Sequence, residues 1–136
     1  MNYPEDKLAG TLIALWHLIG ACCFAGIFFF AGAVFKFFSQ NVDQQYAPPA
    51  LGVIALVISI VGFAVIGFYL LGFIGGLGIA AGRKWAFDLV LVIGIIRMIL
   101  HIGNLPHGIV FMAIDGLCVY YCYQRLSGKL GPRPLR

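Results

Sequence analysis

From Leu8 to Phe35 the chain carries no Asp, Glu, Lys or Arg, and from Ala50 to Gly82 it again carries none. A helix needs ~20 apolar residues to cross a hydrocarbon core ~30 Å thick. Both runs exceed that length, so each predicts a spanning helix that tilts or extends past the lipid. Trp85 to Gly103 predicts a third span, and Gly108 to Tyr123 a shorter fourth. The last two hold the internal charges. The breaks agree with this division. Gln40 to Pro49 (QNVDQQYAPP) is polar and ends in two prolines, and Pro49 suits the first turn of the next helix. GRK at Gly82 to Lys84 is a tight turn with two cations, and GNLP at Gly103 to Pro106 is a short turn with none. The end, SGKLGPRPLR, is polar, basic and expected to be loose. The prediction is an all-α integral membrane protein, an up-down bundle of four transmembrane helices. Its spans cover about residues 8–38, 50–82, 85–103 and 108–125 of a single domain (1–128), followed by a basic tail (129–136).

Composition sharpens this. Hydrophobic residues make up 62% of the 136 and charged residues 10%, whereas a soluble domain is about half apolar and about a quarter charged. The net charge of +4 would suggest nucleic acid in a soluble protein; the positions of the cations point instead to a lipid bilayer. With four spans, Lys7, Arg83, Lys84, Arg125, Lys129, Arg133 and Arg136 share one side, and Lys36 alone lies on the other. Cytoplasmic segments carry the excess of Lys and Arg. Both termini are therefore expected in the cytoplasm, with the protein in the inner or plasma membrane. Glu5 and Asp6 beside Lys7 make a poor signal-peptide start, so the first helix is expected to be retained.

Candidate chemistry is sparse. Cys22, Cys23, Cys118 and Cys122 lie in predicted spans without a C-x-x-C spacing; they read as small buried residues. Cys118 and Cys122, at i and i+4 on one helix face, could form half of a metal site, but no histidine lies nearby in sequence, so neither metal nor cofactor is expected. A haem between helices would need two histidines at similar depth. With helix midpoints near residues 22 and 94, His17 and His101 are expected to differ in depth by roughly 18 Å. His107 opens the fourth helix at the outer surface. No phosphate-binding loop, H-E-x-x-H or nucleophile elbow is present. The glycines of GFIGGLGIAAG read as Gly72-x-x-x-Gly76 and Gly78-x-x-x-Gly82, small positions for close helix contact inside the bundle or between subunits.

Arg97 and Asp115 are the notable charges. They lie at similar distances either side of the turn near Leu105, so an antiparallel hairpin puts them ~3 Å apart in depth. An isolated charge at mid-membrane costs ~2.5–3.5 kcal/mol on insertion scales, and the two can neutralise each other. His101, one turn from Arg97, can join them. The cluster is either a device that fixes helix register or a binding site. Asp88, about a turn into the third helix, is expected to reach toward Arg83, Lys84 and Arg125. The leading functional expectation is a small non-catalytic membrane subunit, accessory or scaffolding, that self-assembles or joins a larger membrane complex. The alternatives are an oligomeric transporter or channel built around Arg97, Asp115 and His101, and a redox or quinone-binding membrane protein.

Overall fold

The computed structural model describes residues 4–41, 50–103 and 108–130. The polar loop 42–49, the turn 104–107 with His107, and the tail 131–136 lie outside the described residues. Four helices follow in order: α1 (Pro4–Asn41), α2 (Ala50–Ala80), α3 (Lys84–Ile102) and α4 (Ile109–Leu126). Three of them, α1, α2 and α3, are long and apolar enough to cross a membrane. Across its 18 residues α4 carries Asp115, Arg125, Tyr120, Tyr121 and Tyr123, and it is outside that set. The first helix starts at Pro4 rather than Leu8. Proline suits a first helical position because its missing N–H is not needed there, and Glu5 and Asp6 complement the positive end of the helix dipole.

Neighbouring helices run antiparallel. Along α1 and α2, Gly10 meets Ala80, Ala14 meets Gly76, His17 meets Gly72, Gly20 meets Tyr69 and Phe28 meets Gly62. Gly75 and Gly78 of α2 face Val90 and Ala86 of α3, and Gly94 of α3 faces Val119 of α4. Backbone meets backbone closely at Gly76, where a Cβ would stand 2.5 Å from the Ala14 backbone nitrogen and 2.8 Å from its Cα. Backbone cannot move aside as a side-chain tip can. Gly76→Leu is therefore expected to cost ~1–3 kcal/mol through overpacking, read as a lowered melting temperature in detergent. Gly78→Leu should cost less, since it meets the Ala86 methyl and the rim of the exposed Trp85 ring. Equal melting temperatures for wild type and Gly76→Leu would mean that α1 and α2 do not touch there.

Gly82 plays a different part from the packing role its spacing suggested. It lies past the end of α2 with φ 71°. Gly82 N–H donates to Ile79 O (2.8 Å) and Arg83 N–H to Gly78 O (2.9 Å), the paired bonds of a Schellman stop, which favours glycine at the left-handed position. The same device ends α4. Gly128 has φ 77°, its N–H donates to Arg125 O (3.2 Å), and Lys129 N–H donates to Gln124 O (3.1 Å). Ser127 to Lys129, expected to be loose, are thus held by these bonds to the last turn of α4.

The apolar core lies at the end where α2 turns into α3. Ile13, Ile79, Ala86, Phe87, Val90 and Cys122 pack together there, drawing on all four helices. The opposite end is uneven. At 1.5 Å per residue, the 19-residue α3 is roughly 28 Å long, the 31-residue α2 roughly 46 Å and the 38-residue α1 roughly 57 Å. Phe24 and Val65 stand level with His101, close to the end of α3. Past them α1 and α2 continue as a two-helix overhang. Phe28 packs on Phe63 there (5.4 Å between ring centroids), while Phe29, Phe30, Phe37, Val53, Ile58 and Ile60 are exposed.

Candidate functional site

Arg97 sits in the last third of α3 and is buried, with 4% of its surface accessible. The α3–α4 hairpin brings its Nε to 3.3 Å from Asp115 Oδ2. His101, one turn further along α3, places Nε2 3.4 Å from the same oxygen. The three residues grouped from the sequence thus meet at one carboxylate. Gly108 helps: it lets the start of α4 approach the His101 carbonyl, which would lie 2.6 Å from a Cβ at that position.

α1 and α2 complete the cluster. The Arg97 guanidinium lies over the Tyr69 ring, 4.2 Å from its centroid, a cation–π contact worth ~0.5–2 kcal/mol. Tyr69 fits because Gly20 leaves space for its ring, and Gly72 leaves space for the His17 imidazole. The His17 and Tyr69 rings meet edge on at 6.2 Å. His17 Nδ1 donates to Ile13 O at 2.7 Å, since a carbonyl can only accept. On the other flank Trp16 packs on Phe111 (5.7 Å), and Phe111 stacks on His101 (5.6 Å). Trp16 also lies beside Asp115.

The cluster is incompletely satisfied. Trp16 Nε1 and Arg97 Nη1 and Nη2 are buried and complete no hydrogen bond, and His101 Nε2 and Asp115 Oδ2 meet in the ion pair without completing one. Buried polar groups nearly always find hydrogen-bond partners, so the unsatisfied donors set the cluster apart from an ordinary register-fixing pair. A pocket of about 170 Å³ reaches this point. Arg97, Tyr69 and His101 form its polar end, and Phe24, Val65, Phe68 and Leu100 its apolar walls.

The depth assigned to His17 needs correcting. His17 is 11 residues beyond Asp6, and Asp115 is 10 residues before Arg125. Asp6 pairs with Arg125, so His17 and Asp115 stand within ~2 Å of the same level. Phe24, seven residues beyond His17, stands level with His101, so the separation of His17 from His101 is roughly 10 Å rather than 18 Å. The error came from taking residue 22 as the middle of a helix that continues beyond Phe24 as overhang. Among the described residues no three His, Cys, Asp or Glu side chains gather as a metal site.

A second buried cluster ties the start of α1 to the end of α4. Arg125 donates through Nη2 to Asp6 Oδ2 and through Nη1 to Leu130 O at 2.7 Å. Tyr121 donates its hydroxyl to Asp6 Oδ1 at 2.7 Å. Asp88 is exposed on α3. Sequence reading missed Asp6, Trp16 and Tyr69 as site residues. Tyr69 had a detectable signal, because Ser59 and Tyr69 are the only polar side chains in α2. Of the packing glycines, Gly72 and Gly76 line the α1 contact and Gly78 the α3 contact, with Gly82 in the turn. Cys22 and Cys23 are exposed, Cys122 is buried in the core, and all four cysteines are free. The chain matches no protein-family model, no curated protein and no solved structure.

Proposed function

We propose that the chain is a small non-catalytic multi-pass membrane protein that acts as an accessory or scaffolding subunit. In this reading all four helices cross the bilayer and both termini are cytoplasmic. The observation that carries it is the overhang of α1 and α2. The roughly 28 Å of α3 matches a hydrocarbon core of ~30 Å. The apolar surface of α1 and α2 then continues roughly 15–25 Å further, with Phe29 76% exposed. Tilt, bilayer thickening or association relieves such a mismatch. Tilt is constrained here because α2 is packed along both α1 and α3. Association with other membrane chains, copies of itself or a larger complex, covers the overhang without bending the bundle. The lysine and arginine bias toward one side supports the orientation.

Site-specific photocrosslinking in native membranes tests this. A benzophenone side chain at Phe29 or Ile60, both on the overhang, should yield protein adducts. The same group at Leu117, an exposed position on α4 level with the bundle, should yield chiefly lipid adducts. Lipid adducts alone at all three positions would remove the basis for assembly through the overhang.

A further inference from the structure

The pocket beside Arg97 has no part in the assembly reading, with which it shares only the membrane setting. We propose that it binds the uncharged carbonyl head of a lipid-soluble molecule of the quinone type. Arg97 donates to the carbonyl oxygen, and the tail remains among the lipids.

Three observations lead there. The first is the donor inventory. A guanidinium has five N–H groups and no acceptor. Arg97 lines the pocket and turns Nε toward Asp115, while its Nη1 and Nη2 are buried against the Tyr69 ring and complete no hydrogen bond. The group that completes them must present acceptor oxygen.

The second is charge. Asp115 already supplies one negative charge opposite Arg97. A carboxylate or phosphate head would add a net charge to a buried site, which is costly in a low dielectric. A carbonyl head supplies acceptor lone pairs and adds no charge.

The third is shape. Pockets that enclose a whole ligand are typically ~300–1,000 Å³. At about 170 Å³ this one is sized for a head alone. Phe24 and Phe68 stand in its walls, so a flat ring can lie against aromatic faces. Phe24 and Leu100 are also exposed on the outside of the bundle. The pocket therefore opens on the side that faces hydrocarbon, where a tailed molecule arrives and its tail stays. No electron transfer is implied; the site holds a head group and nothing more.

The test uses the full-length protein in phosphatidylcholine nanodiscs. Trp16 and Trp85 are the only tryptophans, so Trp85→Phe leaves Trp16, beside the cluster, as the sole reporter. Titration with decylubiquinone should quench Trp16 saturably. Two further changes are made in this background. Val65→Phe fills the pocket from its apolar wall, and Arg97→Leu with Asp115→Leu removes the donor without leaving an orphan charge. Each should weaken binding by about tenfold or more. If one fails to fold by circular dichroism, the other decides. Oleate at matching concentration should not displace the quinone. Quenching that rises linearly without saturation, equal affinity in a folded variant, or displacement by oleate each overturns the assignment, the last in favour of a carboxylate head.

Discussion

Asp115→Leu should be among the most destabilising single changes in the bundle, and Arg97→Leu somewhat less so. Breaking a buried ion pair by removing one partner costs ~3–5 kcal/mol, softened where water or snorkelling reaches the site. The two changes are unequal because the groups left behind differ. In Arg97→Leu the orphaned carboxylate keeps His101 at 3.4 Å, and a carboxylate can be neutralised by a proton. In Asp115→Leu the orphan is a guanidinium, which stays charged and keeps only the face of Tyr69. The double change to leucines should recover most of the loss, because no buried charge remains. Thermal unfolding in detergent of the four proteins measures the order directly. Additive losses in the double variant would mean that the two residues act separately. Tyr69→Leu is informative in the Asp115→Leu background, where the aromatic face is the main stabilising contact left to the guanidinium.

The Arg97–Asp115 pairing was legible because a hairpin is symmetric about its turn: equal offsets from the turn give equal depth, whatever the rest of the bundle does. His101 followed from the helical repeat. The glycine positions were half legible. Spacing identified Gly72 and Gly76, but small-x-x-x-small says nothing of a partner, so Gly10 and Gly20 on α1 went unseen. Gly82 satisfied the spacing while serving the turn. The aromatic half of the site was hidden by context. Trp16 and Tyr69 sit in runs so uniformly apolar that no periodicity separates a buried face from a lipid face. Depth could not be carried between α1 and α3 because the overhang shifts the centre of α1. Asp6 was the largest omission. It counted toward the charge at one end of the chain, while its partner lies 119 residues away. Their meeting depends on both helix ends lying on one side of an even-numbered bundle, a consequence available from topology but from no local motif.

Removing that link should loosen the bundle at the end where the termini gather. α1 and α4 make little close backbone contact compared with the sequential helix pairs, and long side chains bridge the gap between them. Arg125→Leu takes away the bonds to Asp6 and to Leu130 O together, and leaves Asp6, 3% exposed, with only the Tyr121 hydroxyl among these partners. A loss of ~3–5 kcal/mol is expected for breaking such a buried pair. Asp6→Asn keeps the size and one acceptor and should cost less, on the order of 1–3 kcal/mol for charge-assisted bonds. Tyr121→Phe removes a single hydroxyl bond and should cost ~0.5–1.5 kcal/mol. Salt discriminates between a buried and a surface pair. Exposed charges are screened within ~8 Å at physiological ionic strength, buried ones far less. The wild-type melting temperature should therefore stay nearly constant as salt is raised, and the ranking of the three variants should persist. If Arg125→Leu melts with the wild type, or if moderate salt erases the differences among the variants, Asp6 and Arg125 form a solvated surface pair, and packing alone holds α1 against α4.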